Sequence, residues 1–263
     1  QSIDTRHAST QSLTRRYPLQ SSPILHSTNP STPILPLEST QDSKMTPQLP
    51  HGVVINNCTI PNTIAIAFDD GPYIYTEQVL DILANASIHA TFFLNGDWKG
   101  NIDELSHIVQ RTFAEGHQIG SHSWSHLNLT TLPYKSILTE MTTLESAFLR
   151  ILGFIPTYTR TPWLHVNELM LSVMADLRYH VIGASIVTDD KVYDSPERSW
   201  KSFELFVDGL DGGGSIVLAH DSQENTAAKL VGRMIKEVES RGLNAVTVGE
   251  CLGHPSEFWY RSG

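Results

Sequence analysis

From Val53 onward, short apolar runs alternate with longer stretches whose apolar positions recur every three or four residues. The runs read as buried strands and the periodic stretches as amphipathic helices. Strands are predicted at residues 64–68, 90–94, 118–121, 157–160, 181–186, 215–219 and 245–248. Helices are predicted between them, at 77–86, 103–115, 134–152, 166–177, 197–208 and 227–241. Strict alternation of the two is the signature of βα units and a parallel sheet, and seven strands is a barrel-sized number. In such α/β folds chemistry gathers at the rim formed by the C-terminal ends of the strands. Gly212-Gly213-Gly214 precedes a strand rather than opening a helix, so it reads as a turn and not as a phosphate cradle.

The first 50 residues lack this pattern. They hold seven of the 14 prolines, no glycine and no cysteine, and are crowded with Ser, Thr and Gln, which predicts a disordered leader. Arg15-Arg16 within it has the form of a processing site. The expected organisation is a leader over 1–50, one catalytic domain over 51–255 and a short tail over 256–263. The aromatic tail Phe258-Trp259-Tyr260 is expected to pack or fray rather than to bind sugar.

At 263 residues and 40% hydrophobic composition, the chain can bury one substantial core. Its 18 Lys+Arg against 28 Asp+Glu give a net charge of -10, which repels polyphosphate and anionic lipid. Nucleic acid and membrane surfaces are therefore poor partners, and no run approaches the roughly 18 apolar residues of a membrane span. A monomer is expected. Cys58 precedes the first predicted core strand and Cys251 follows the last, so the pair either bridges the two ends of the fold or remains two buried thiols. Sequons at Asn57, Asn85 and Asn128 fit a secreted glycoprotein.

Two motifs carry the chemistry. Phe68-Asp69-Asp70-Gly71-Pro72 supplies adjacent carboxylates, and His122-Ser123-Trp124-Ser125-His126 supplies two imidazoles at a helix-friendly i, i+4 spacing that places both rings on one side of a turn. The histidine pair alone is weak, since chance yields on the order of 0.5 such pairs in this composition, whereas Asp-Asp-Gly-Pro arises by accident roughly 0.003 times. Asp69-Asp70, His122, Arg160 and His220 all fall at or just beyond predicted strand ends. Each has a plainer reading: a turn for Asp-Gly-Pro, hydrogen-bonded histidines, a surface ion pair for Arg160, a core histidine at 220, a capping pair at Asp189-Asp190. Trp124 reads as core, and Trp163 equally as core or as a sugar platform.

Together with Gly116-His117-Gln118-Ile119-Gly120-Ser121, Arg160-Thr161-Pro162-Trp163 and Ser215-Ile216-Val217-Leu218-Ala219-His220, these motifs resemble the polysaccharide deacetylase family. These are the carbohydrate esterases with a NodB homology domain, and the likeness is greatest to secreted fungal chitin deacetylases. It spans about residues 53–253. It implies a distorted (β/α)7-type barrel with the active site at the C-terminal strand rim. It implies Asp69 as general base, Asp70, His122 and His126 as metal ligands, Arg160 as the residue orienting Asp69, and His220 as general acid. It further implies a backbone N–H at Trp163 for the oxyanion, with Pro162 and Leu218 lining the substrate site, and a Cys58–Cys251 bridge.

The chain departs from the family at Trp163, where Tyr is usual, and in the fourth motif, Val187-Thr188-Asp189-Asp190-Lys191. There Asp190 is retained to tune Arg160 or His220, but an aspartate is replaced by Val187 and an aromatic by Lys191. Two histidines and one carboxylate leave open positions for water and a substrate oxygen, which makes zinc the expected metal, with cobalt as the alternative. The expected activity is secreted, extracellular or cell-wall N-deacetylation of chitin or N-acetylglucosamine oligomers. The alternatives are an O-acetyl xylan esterase, a peptidoglycan deacetylase, and a noncatalytic chitin-binding or masking protein.

Overall fold

In the computed structural model, which describes residues 49–263, the first half of the chain runs β1 (Val54–Ile55), β2 (Thr63–Asp69), α1 (Thr76–Ala86), β3 (Thr91–Leu94), α2 (Ser106–Ala114), β4 (Gln118–Ser121) and α3 (Tyr134–Leu152). The second half continues β5 (Ile155–Pro156), β6 (Tyr158–Thr159), α4 (Glu168–Asp176), β7 (His180–Ile182), β8 (Ile186–Val187), α5 (Ser199–Asp211), β9 (Ile216–His220), α6 (Val231–Ser240), β10 (Asn244–Val246), α7 (Val248–Cys251) and β11 (Tyr260–Arg261). Residues 1–48 of the expected leader, with Arg15-Arg16, lie outside the described residues; its last two belong with the domain, Leu49 packing on the inner core and the Pro50 carbonyl lying 2.9 Å from His180 Nδ1.

The main sheet has the order β1-β7-β6-β4-β3-β2-β9-β8, every pairing parallel, with β10 added beside the start of β2. It curls into a half-barrel whose edges are the two-residue strands β1 and β8. The alternation along β2 explains the layering. Ile64, Ile66 and Phe68 join the large core shared with helix residues such as Leu80, Leu144 and Met234, while Ala65 and Ala67 face inward with Phe93, Tyr158 and Ile216. Burial on both faces produces the near-continuous apolar run typical of parallel strands. Continued by one residue, the same alternation turns Asp69 to the interior. On β9, Val217 and Ala219 face the helices, so His220 also points inward, in register with Asp69.

Several elements differ from the sequence reading. The strand expected at 181–186 is two strands, β7 and β8, which join opposite ends of the sheet. The helix expected at 227–241 begins as a π turn, Thr226–Leu230, before α6. The strand expected at 245–248 stops at Val246 because Thr247 caps α7 in a reciprocal box with Glu250. The segment set apart as a tail, 256–263, belongs to the domain: β11 pairs with β5, Trp259 Nε1 donates to the His254 carbonyl at 2.8 Å, and Tyr260 accepts from the Ile119 N–H at 3.1 Å. Cys58 and Cys251 form a disulfide with Cα atoms 4.9 Å apart, closing a separation of 193 residues. Gly213, at φ 80°, makes the expected turn before β9. No helix among the described residues is long and apolar enough to cross a membrane.

Candidate active site

Asp69 ends β2, and its Oδ1 accepts from Arg160 Nη1 at 2.9 Å. Arg160 is fully buried; it stacks on Phe93 at 4.6 Å and gives Nη2 to the Gly183 carbonyl at 2.9 Å, which leaves its fork no freedom to rotate. The following residue, Asp70, turns the other way at φ 73°. Its carboxyl is buried, with Oδ1 3.2 Å from His126 Nε2 and 3.5 Å from His122 Nε2. His122 Nε2 also lies 3.7 Å from Asp69 Oδ2.

The His122–His126 segment is not a helical turn, contrary to the i, i+4 expectation. It is a rim loop in which Ser123 and His126 adopt φ 67° and 55°. Tertiary hydrogen bonds hold that shape: Asn95 Nδ2 donates to the carbonyls of His122 (2.6 Å) and Ser123 (3.0 Å), and Glu140 accepts from the Ser125 N–H (2.9 Å) and hydroxyl (2.7 Å). Trp124 packs over Gly96, where any Cβ would collide with the indole. Of the nine non-glycine residues with positive φ among those described, Asp70, Ser123, His126, Trp163, Leu164 and Asp189 all lie in the rim loops. Each costs on the order of 1–3 kcal/mol, so the strain is concentrated where side chains are aimed at one point.

The donor set fits a divalent cation. His122 Nδ1 is 2.6 Å from the Arg160 carbonyl, which can only accept, so Nδ1 carries the proton and Nε2 keeps its lone pair. Burial lowers the His122 pKa to about 4 against the opposing pull of Asp69 and Asp70, which keeps the ring neutral. Neither oxygen of Asp70 has a well-directed hydrogen-bond donor. One ligand atom each from Asp70, His122 and His126 lies within 4.8 Å of the other two. Burial would raise the Asp70 pKa, but the contact with His126 and the nearby positive charge, that of Lys191 included, outweigh it and hold the carboxyl below the usual range.

His220 ends β9. Its Nδ1 is 2.7 Å from Asp190 Oδ1, and its N–H donates to Asp190 Oδ2, also at 2.7 Å; the Thr226 hydroxyl completes that oxygen at 2.6 Å. The π turn before α6 is what brings Thr226 there. Burial alone would lower the His220 pKa, yet the charge and hydrogen bond of Asp190 raise it. Of the two partners expected for Asp190, the structure selects His220 rather than Arg160. Trp163 is exposed, at φ 56°, in the 3₁₀ turn Pro162–Leu164, where an N–H lacks an intrahelical acceptor; its ring stands edge-on to His126 at 4.5 Å. Pro162 is buried behind it, and Leu218 lies on the same inward face as His220. Val187 is half-exposed on β8, and Lys191 reaches Asp70. Asn57 and Asn85 are exposed, whereas Asn128 is half-buried and spends its amide oxygen capping Thr130.

Sequence reading missed four residues. Asn95 and Glu140 shape the histidine loop. Trp98 stacks on the His126 ring at 4.9 Å and 10° while remaining half-exposed. Asp221 is buried under the Asp69–Pro72 turn, accepting from the Thr76 hydroxyl at 2.5 Å, and burial pushes its pKa up to about 7. A Cβ on Gly71 would come within 2.5 Å of that carboxyl, so the turn requires glycine. The available signal was position: Asn95 and Trp98 follow β3 at the rim, and Asp221 follows His220.

A family model described as polysaccharide deacetylase matches residues 56–182. A chitin deacetylase of Pestalotiopsis sp is 45% identical over 228 residues, which is 87% of this chain and 74% of that protein. A probable peptidoglycan-N-acetylglucosamine deacetylase of Arthroderma benhamiae is 46% identical over 221 residues, 84% of this chain but only 51% of that protein. The solved chitin deacetylase of the fungal pathogen Colletotrichum lindemuthianum superposes with a TM-score of 0.79 at 39% identity, covering 82% of this chain and 98% of the other. Identity of this extent, over a site whose parts sit at the strand rim, makes the chain a member of the polysaccharide deacetylase family, whose deacetylases are metal-dependent.

Proposed function

We propose that the chain is a secreted, zinc-dependent N-deacetylase that converts chitin or N-acetylglucosamine oligomers to glucosamine units and acetate. The carrying observation is that the Asp70–His122–His126 donor set and the Asp69–Arg160 pair share a rim with the His220–Asp190 pair. Asp70, His122 and His126 would hold the ion; two imidazoles and a carboxylate suit zinc, with cobalt as the substitute. When bound, such an ion polarises the acyl carbonyl and acidifies water.

The remaining chemistry belongs to side chains of this protein. Arg160 fixes Asp69 Oδ1, leaving Oδ2 on the His122 side to accept the proton of the attacking water. The Trp163 N–H stabilises the oxyanion formed on addition. An amine leaves only when protonated, and His220 supplies that proton, its charged form favoured by Asp190. Trp163, Pro162, Leu218 and Trp98 form the substrate walls. The indole of Trp98 supplies an apolar face of the kind Lys191 does not.

The retained His220–Asp190 pair favours an amide over the O-acetyl ester of xylan, because an alcohol leaves more readily. It also speaks against a purely masking protein, since Val187 and Lys191 leave Asp190 fully engaged. The disulfide fits an oxidising, extracellular compartment, and the exposed Asn57 and Asn85 suit glycosylation better than Asn128. One chain supplies every group of the site, consistent with action as a monomer. The test is a substrate panel of N-acetylglucosamine oligomers, peptidoglycan fragments and acetylated xylan, with released acetate as readout. Fastest release from the chitin oligomers is expected; faster release from xylan would overturn the reading.

A further inference from the structure

Lys191 has no part in the chemistry above, yet its backbone is held at the site. It directly follows Asp190, which three hydrogen bonds anchor, and its side chain turns into the site: Nζ lies 2.6 Å from Asp70 Oδ2, an ion pair without the alignment of a directed hydrogen bond. The opposite oxygen, Oδ1, is the one that faces His122 and His126. The ammonium charge is felt by His220 as well as by Asp70.

A buried carboxylate needs a counter-charge, and Asp70 is offered two: the ammonium of Lys191 and a divalent ion at the His122–His126 side. Both together place like charges within a few ångströms in a buried pocket that already contains Arg160. Of the two side-chain cations, only Lys191 can leave. Arg160 is fully buried and bonded to Asp69 and Gly183, whereas the Lys191 side chain is 34% exposed on a flexible stem.

We propose that Lys191 is a tethered competitor for the metal site: it neutralises Asp70 until a divalent ion takes the carboxylate, then swings toward solvent. The site would thereby bind metal more weakly than the same donors without the lysine. This rests on Asp70, His122 and His126 being the ligands.

The experiment is zinc affinity of the full chain at fixed pH, measured by competition with a chromophoric chelator. It compares wild type with Lys191→Met, Lys191→Gln, Lys191→Arg and His126→Ala, and adds thermal melts with and without zinc. Lys191→Met and Lys191→Gln are expected to bind zinc about tenfold more tightly, equivalent to about 1.4 kcal/mol, and Lys191→Arg to stay near wild type. The neutral variants are also expected to gain more melting temperature from zinc than wild type does. Unchanged or weaker zinc binding by the neutral variants would overturn the competition and make Lys191 a support for Asp70. Failure of the ligand assignment looks different: wild type and His126→Ala would bind zinc alike, which removes the premise as well.

Discussion

Replacing Asp190 by Asn separates the acid from the rest of the machinery. Asp190 takes three donors at 2.6–2.7 Å: the His220 N–H and the Thr226 hydroxyl on Oδ2, and His220 Nδ1 on Oδ1. An asparagine satisfies the first two with its single oxygen and then points its NH₂ at Nδ1, which must give up its proton. The imidazolium loses its counter-charge, and a charge-assisted hydrogen bond of about 1.5–3 kcal/mol is gone. Since general acid catalysis contributes roughly 10²–10⁴-fold, kcat on an N-acetyl substrate should fall by about that factor. The pH profile gives a second reading. The acid works when protonated and its pKa is raised, so activity is lost as pH rises through a value above 6.5. In the variant, burial, the largest influence, lowers the pKa together with the Lys191 charge, opposed only by the weaker pull of Asp70, and the alkaline limb should move to lower pH. The assay is kcat against pH for a chitin oligomer and for an activated O-acetyl ester, whose leaving group needs no proton. Equal loss on both substrates, or an alkaline limb that does not move, would refute the acid role.

Removing the bridge with Cys58→Ser and Cys251→Ser frees a loop of 193 residues in the unfolded chain; loop-closure entropy gives up to ~5 kcal/mol of lost stability, read from urea midpoints, and an unchanged midpoint would contradict it. Trp98→Ala removes the ring stacked on His126 and should raise KM about 2- to 12-fold, from a ring contact worth about 0.5–1.5 kcal/mol, with kcat largely kept; an unchanged KM would deny it a place in the substrate wall. His117 accepts the Ala90 N–H on Nδ1, and burial lowers its pKa to about 4, so the folded state holds it neutral. Its contribution is intact above 6.5 and lost as pH falls toward 4, by up to about 3 kcal/mol, and a His117→Phe variant should flatten that part of the urea-midpoint profile.

The parallel sheet was readable because strands buried on both faces leave unbroken apolar runs, and the run at 64–68 ends directly in the two aspartates. That adjacency is also why the rim could be located before any contact was known. The two-residue strands β1 and β8 carry too few residues for a period and exist only through their neighbours. The shape of the histidine loop was hidden because i, i+4 spacing says helix by default, while the actual loop depends on Asn95 and Glu140, which lie on other elements. The π turn escaped for the same reason: Thr226 is drawn to Asp190, a contact 36 residues away in sequence. Lys191 read as the loss of an aromatic wall, whereas its reach to Asp70 is a tertiary fact, and Trp98 supplies an indole from a different strand end.

The most direct test of the central claim, that the Asp69 carboxylate and the Asp70–His122–His126 donor set form one hydrolytic centre, is a mass-spectrometric time course. Zinc-loaded wild type and Asp69→Asn are each incubated with a chitin oligomer of defined length. The expected result is stepwise loss of acetyl groups by wild type and none by the variant, with both holding one zinc. A wild type that binds the oligomer without losing acetyl mass, or a variant that deacetylates at the wild-type rate, would contradict the account.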